Sequence, residues 1–262
     1  MLKTVHLRGK VLPEAVEYTL KNVVSFGWIW QERNATLQFR ISIQKGEIRV
    51  ECDMEDFRDQ DPTEIHRRAY DLCRALVSMN AFREGVGLFV WLDRFTGPSG
   101  KETTLLGHDR RLGPLCTAIH SDDDFNKVFP LVLEHPVLIR HLTDLIISIT
   151  IPHEALINCA RVVEGIKNLM SPDETDDKRA WQAMRDALNI EREYLVLITE
   201  SSTNARHGRG ERRGGLLLSE ITLRAWTVMN RYLEYWKRGN GRLPLSEFPL
   251  LKQRRSDQTP MT

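Results

Sequence analysis

Residues 201–213 read SSTNARHGRGERR and gather more reactive chemistry than any other segment of the chain. Arg206, Arg209, Arg212 and Arg213 fall within eight residues and are opposed only by Glu211. Guanidinium forks match phosphate oxygens and stay charged at any working pH. His207, between them, is the one nearby side chain that exchanges protons near neutrality. A histidine beside arginines is the minimum set for metal-free RNA cleavage. The histidine moves a proton at the 2′-hydroxyl or the leaving oxygen, and an arginine steadies the phosphoryl charge. The same residues also read as a solvated basic loop, in which Arg206 and His207 help to satisfy a helix C-terminus.

Two other groups are weighed against this one. The run ECDMEDFRDQDPTE holds Glu51, Asp53, Glu55, Asp56, Asp59 and Asp61. Its spacing fails a calcium loop: Phe57 stands where a third ligand belongs, and no glycine supplies the sharp turn. A solvated connection between strand and helix is expected there. His141 and Asp144 lie three apart on a helical pattern, but His135 lies across Pro136, so a surface or satisfied histidine is expected rather than a metal ligand. No phosphate loop, nucleophile elbow, zinc-protease helix or dinucleotide fingerprint occurs, which counts against several large enzyme classes. Neither a metal nor an organic cofactor is expected.

The elements that would carry these residues divide into two kinds. In the first half, residues 25–31, 36–43 and 47–52 alternate apolar and polar side chains and are rich in β-branched and aromatic types. The short connection QKG makes 36–52 a hairpin. Residues 5–11 and 87–95 supply further strands. Trp28, Trp30 and Trp91, at alternating positions, are expected in the core. Asp61 followed by Pro62 and Glu64 marks a helix start, with the Asp61 carboxylate accepting from free backbone amides. Ile65, Ala69, Leu72, Cys73, Leu76 and Met79 would form its buried face.

From Ser121 onward the period becomes helical. Three aspartates follow Ser121 in a first turn. Pro152 opens another helix, carrying Leu156, Cys159, Val163, Ile166 and Met170. Beyond the polar connector SPDETDD come helices over 178–189 and 191–201, the basic segment, and a long amphipathic helix over 216–238. In that last helix Leu217, Ile221, Ala225, Val228, Tyr232 and Trp236 form one stripe. The expected class is α+β: a mixed domain over 1–120 with a small, largely antiparallel sheet and one long helix, a helical bundle over 121–240, and a loose tail over 241–262.

Composition constrains function weakly. The 262 residues are 41% hydrophobic and 28% charged with a formal net charge of +1, so any surface for a polyanion must be local. Cys52, Cys73, Cys116 and Cys159 lie far apart, which fits free thiols in a reducing compartment. The start of the chain lacks the apolar core of a secretory signal, and the run 137–151 is too short to span a bilayer and holds Arg140, His141 and Asp144. A cytoplasmic protein without membrane contact is expected.

The order of helices, with an Asn/Arg/His cluster just ahead of a long terminal helix, resembles the HEPN superfamily over roughly residues 152–238. The wording NARHG after YLVLITESS is similar to divergent domains of this type in uncharacterised bacterial proteins. Many members are metal-independent endoribonucleases of toxin–antitoxin, CRISPR and anti-phage systems, often acting as dimers. The resemblance implies RNA as substrate, His207 as acid/base, Arg206 as phosphate stabiliser and Asn204 as an orienting group. Arg209, Arg212 and Arg213 would bind the nucleic acid, and dimerisation would run through the helical domain. The family's motif places an arginine ahead of the histidine with four to six residues between them, whereas Glu200, Ser201 and Ser202 stand at those positions here. The alternative reading is therefore a HEPN-like module without catalysis, a sensor or docking element whose basic turn meets a protein partner.

Overall fold

The computed structural model describes residues 2–104, 109–151, 154–206 and 215–253, with backbone alone for 204–206 and 215. The chain forms two compact units, Met1–Leu106 and Gly107–Thr262. The first is an antiparallel sheet with a helix, and the second is helical, giving an α+β protein with a C-terminal helical half.

In the first unit, β1 (Lys3–Leu12), β2 (Val24–Trp30), β3 (Ala35–Gln44), β4 (Glu47–Met54), β5 (Phe89–Thr96) and the short β6 (Glu102–Thr104) pair in the order β2-β3-β4-β1-β5-β6. Period-2 alternation sends Val5, Leu7, Val11, Phe39, Ile41, Val50 and Leu92 to one buried face and polar residues to the other. Each such aliphatic side chain contributes about 1.5–3 kcal/mol by leaving water. α1 (Pro62–Glu84) supplies Ile65, Ala69, Cys73, Val77 and Ala81 to the core of this unit. Met79, expected on that stripe, is 73% exposed: six residues beyond Cys73 it has rotated off the row that steps by four. Cys52 and Cys73 are buried, and burial pushes both thiols up to about 12.

Two expectations for this unit are corrected. The Asp61 carboxylate makes no cap hydrogen bond to α1. It is fully buried and accepts from the Arg33 guanidinium and from Arg58 N at 2.8 Å. Asp53 is also buried, held by Arg40 Nη1 at 2.6 Å and Thr4 Oγ1 at 2.6 Å, and these donors depress its pKa. The acidic run is thus partly a set of internal ion pairs. The tryptophans are not core residues. Trp91 is 39% exposed, while Trp28 and Trp30 are half-buried and stack on each other, with the Arg68 guanidinium 3.8 Å from the Trp28 ring centroid.

The second unit contains α2 (Asp122–Glu134), α3 (Pro136–Thr150), α4 (Ala155–Met170), α5 (Asp177–Leu188), α6 (Arg192–Arg206) and α7 (Gly215–Lys237). Ser121 caps α2 by accepting from Asp124 N. α4 is the central element: α3, α5, α6 and α7 all pack on it, and Leu156, Cys159, Val163 and Ile166 are buried there. Residues 109–121 belong to this unit, ahead of the expected 120/121 division. Ala118 N donates to Asn230 Oδ1 at 3.0 Å and Thr117 Oγ1 to Glu234 Oε1 at 2.8 Å.

The segment after α7 is not loose where it is described. Leu243 is 1% exposed, and Asn189 Nδ2 donates to the carbonyls of Leu243 and Phe248. Arg231 donates to Pro249 O at 2.6 Å, and Ile190 bridges Leu251. These carbonyls and apolar side chains give the segment something to pack that its polar composition hides. Pro152 lies outside the described residues.

A basic groove in the helical unit

Asn204 and Arg206 occupy the last turn of α6, while His207, Arg209, Arg212 and Arg213 lie outside the described residues, between α6 and α7. Asn204 and Arg206 are therefore placed by the backbone of α6. The described structure that leads up to that turn is the groove between α5 and α6.

α5 starts at Asp176, whose carboxylate accepts from Lys178 N at 2.9 Å and Arg179 N at 3.4 Å. It ends at Asn189, which adopts the left-handed conformation (φ 53°) and closes the turn into α6. Both helices rest on α4 but make almost no contact with each other. A groove of about 660 Å³ remains between them. α5 lines it with Lys178, Trp181, Gln182 and Arg185, a stripe at helical spacing. α6 answers with Arg192, Leu195, Val196, Thr199 and Glu200, and positions 203 and 204 continue that stripe toward the basic segment.

The groove is electropositive. Lys178, Arg185 and Arg192 face a single carboxylate, Glu200, among its lining residues. Lys178 and Arg192 are exposed, and no ion pair holds either of them among the described residues. Arg185 donates to the neutral Gln182 side chain, and no ion pair holds it among the described residues. Trp181 is half-buried, with Lys167 Nζ 5.2 Å from its ring centroid, and Lys167 is itself paired with Asp177. A flat aromatic flanked by free cations is suited to an extended phosphodiester with a base laid on the ring.

A second polar cluster lies between α3 and α4. His141 and Asp144 are buried on one face of α3, His141 Nδ1 standing 3.9 Å from Asp144 Oδ2. Arg161 on α4 donates to Asp144 Oδ1 at 2.7 Å and to Asn158 Oδ1 at 2.6 Å. Neither ring nitrogen of His141 has a hydrogen-bond partner among the described residues. The ring sits against Gly165, where an added Cβ would fall 1.7 Å from Nε2. Burial depresses the His141 pKa, overcoming the pull of Asp144. His141 is thus neither a surface residue nor a satisfied one. His135 forms the junction of α2 and α3 and is exposed. Among the described residues no group of three or more histidine, cysteine or carboxylate side chains is placed to hold a metal ion.

Sequence reasoning missed the groove because its cations are shared between two helices and look, on each, like an ordinary solvated face. The one available signal was Trp181 set between Lys178 and Arg185 on a single stripe. Comparison with known proteins places the two units separately. Residues 5–106 match the model described as Domain of unknown function (DUF8168) N-terminal domain, and residues 128–237 match its C-terminal domain. The chain is thus similar to both halves of that family, in order. No curated protein and no solved structure matches it. No helix among the described residues is long and apolar enough to cross a membrane.

Proposed function

We propose that the helical unit is a HEPN-like module that engages RNA, with the groove between α5 and α6 as its track and the 204–213 segment at its end. One observation carries this reading: Lys178 and Arg192 line the groove beside Trp181, exposed and held in no ion pair among the described residues. An arginine or lysine kept unpaired in a concave site is poised to neutralise a phosphate and release its counterions. Arg206, Arg209, Arg212 and Arg213 would extend the positive track past the end of α6.

Cleavage, in this proposal, is the work of His207. It would take the 2′-hydroxyl proton or deliver one to the leaving oxygen, with Arg206 neutralising the phosphoryl charge and Asn204 orienting the chain. The products would be a 2′,3′-cyclic phosphate and a free 5′-hydroxyl. The test is an RNA cleavage assay in EDTA with the full chain beside His207→Ala. Cleavage by the wild type that is lost in the variant supports the nuclease reading. RNA bound but uncut by both proteins would leave a binding module. RNA neither bound nor cut would overturn the proposal in favour of a docking element for a protein partner.

A further inference from the structure

The polar face of the sheet in the first unit carries an arrangement that folding alone does not favour. Arg8 on β1 is paired directly with Arg49 on β4 and with Arg94 on β5. Three like charges therefore stand in a row across three neighbouring strands, about 5 Å apart from strand to strand. Like charges directly opposite one another destabilise a sheet. All three are exposed, and no ion pair holds any of them among the described residues. Of the acids nearby, Glu51 and Asp53 are held by Arg40 and Glu47 faces Lys10 at 3.9 Å, while Asp93, next to Arg94, stands beside the row, so four cations face two carboxylates there.

The row is built by a specific irregularity. The register of β1 against β5 shifts between Arg8 and Gly9, leaving Asp93 as the extra residue. The shift is possible because residue 9 has no side chain: a Cβ there would lie 2.0 Å from Trp91 O. It turns Arg94 to face Arg8 and sets Trp91, exposed, beside the row across from Lys10. A shallow cavity of about 290 Å³ lies among Arg8, Arg49, Arg94, Lys10 and Trp91, with Glu47 and Asp93 also in its lining.

From this geometry we infer that the outer face of the sheet is a binding surface for single-stranded RNA. The phosphodiester backbone lies across Arg49, Arg8 and Arg94, and one base stacks on Trp91. A guanidinium row supplies the counter-charges that the sheet itself withholds. An exposed aromatic beside it takes an unstacked base, which a duplex does not offer. The inference does not depend on the α5–α6 groove, which uses other residues in the other unit.

The test uses the full chain, a fluorescein-labelled oligouridylate and an RNA hairpin of equal length, read by anisotropy. Arg8→Gln combined with Arg49→Gln should weaken oligouridylate binding by roughly tenfold at low salt, because two phosphate contacts are lost. The melting temperature of that variant should be unchanged or raised, since like-charge opposition is relieved. Trp91→Ala should weaken the oligouridylate more than the hairpin. The same losses should appear when the α5–α6 groove carries Arg185→Gln and Arg192→Gln, which separates this surface from that one. With the groove so disabled, oligouridylate affinity within twofold of the groove variant's own would overturn the inference. So would a lowered melting temperature in the double variant, which would make the row a structural element.

Discussion

Arg224 and Arg231 on α7 and Arg185 and Arg192 at the α5–α6 groove belong to the same helical unit, yet their donors end in different places. Arg231 is buried and spends its guanidinium on three backbone carbonyls, those of Leu188, Asn189 and Pro249, at 2.6–2.8 Å. Arg224 is buried against Glu220 at 2.7 Å and Tyr194 O at 3.1 Å. Both are buried, so neither guanidinium is presented to a ligand. The groove pair keeps its charge in water, where holding an arginine costs little and a phosphate can reach it. Burying an arginine is tolerated only when hydrogen bonds replace its hydration. An arginine that is left unpaired at a concave surface is therefore the more informative kind for function.

Removing a buried arginine should break the first kind of site most severely. Arg231→Met removes a donor from three carbonyls, of which Asn189 O keeps Leu251 N at 2.9 Å, and loosens the segment around Leu243 and Leu251. A loss of about 2–4 kcal/mol in stability is expected, read by denaturant unfolding. Faster amide exchange at Leu251 should accompany it, and a variant as stable as wild type would show that the three contacts are worth little. Gly165→Ala probes the polar cluster that has neither full partners nor free access. The added methyl meets the His141 ring, so about 1–3 kcal/mol should be lost. His141→Ala in the same background should recover part of that loss, and no recovery would mean the clash lies elsewhere.

The smallest effect concerns pH. His66 and His141 are both shifted down from 6.5, His66 mainly by burial beneath the contact of its Nε2 with Leu92 O at 2.5 Å, and His141 by burial. A histidine with a depressed folded pKa binds protons more readily when unfolded. Its contribution is therefore complete above about 6.5 and is lost as pH falls through that value toward the folded pKa. Each histidine should cost at most about 1.4 kcal/mol per pH unit below 6.5. Unfolding midpoints between pH 7.5 and 5 should fall for the wild type and fall less for His141→Gln. Equal slopes would place the titration elsewhere.

Much of the fold was legible because local patterns and tertiary packing agree. Alternation over 36–43 and 47–52 became β3 and β4, and the Ser121 signal became a true cap on α2. The exceptions share a cause. Asp61 sits where a cap belongs, but Arg33, far away in sequence, claims its carboxylate. Trp91 sits on a strand, but on the face that α1 does not cover. Residues 243–251 read as a tail, but Arg231 and Asn189 hold them. In each case the deciding partner is distant in the chain, and periodicity carries no record of it. The candidate site was legible only as a composition, a cluster of arginines around His207. The groove that gives it a direction depends on how α5 and α6 splay over α4, which neither helix announces alone.

The most direct test of RNA engagement is the equilibrium affinity of the full chain for a labelled single-stranded RNA across a range of salt concentrations. It is measured for the wild type and for Arg185→Gln with Arg192→Gln. The groove predicts roughly tenfold weaker binding in the double variant at low salt, and a slope of log affinity against log salt that is shallower by about two. Its melting temperature should be unchanged. Identical affinity and slope in the two proteins would contradict the account and return Lys178, Arg185 and Arg192 to an ordinary solvated surface.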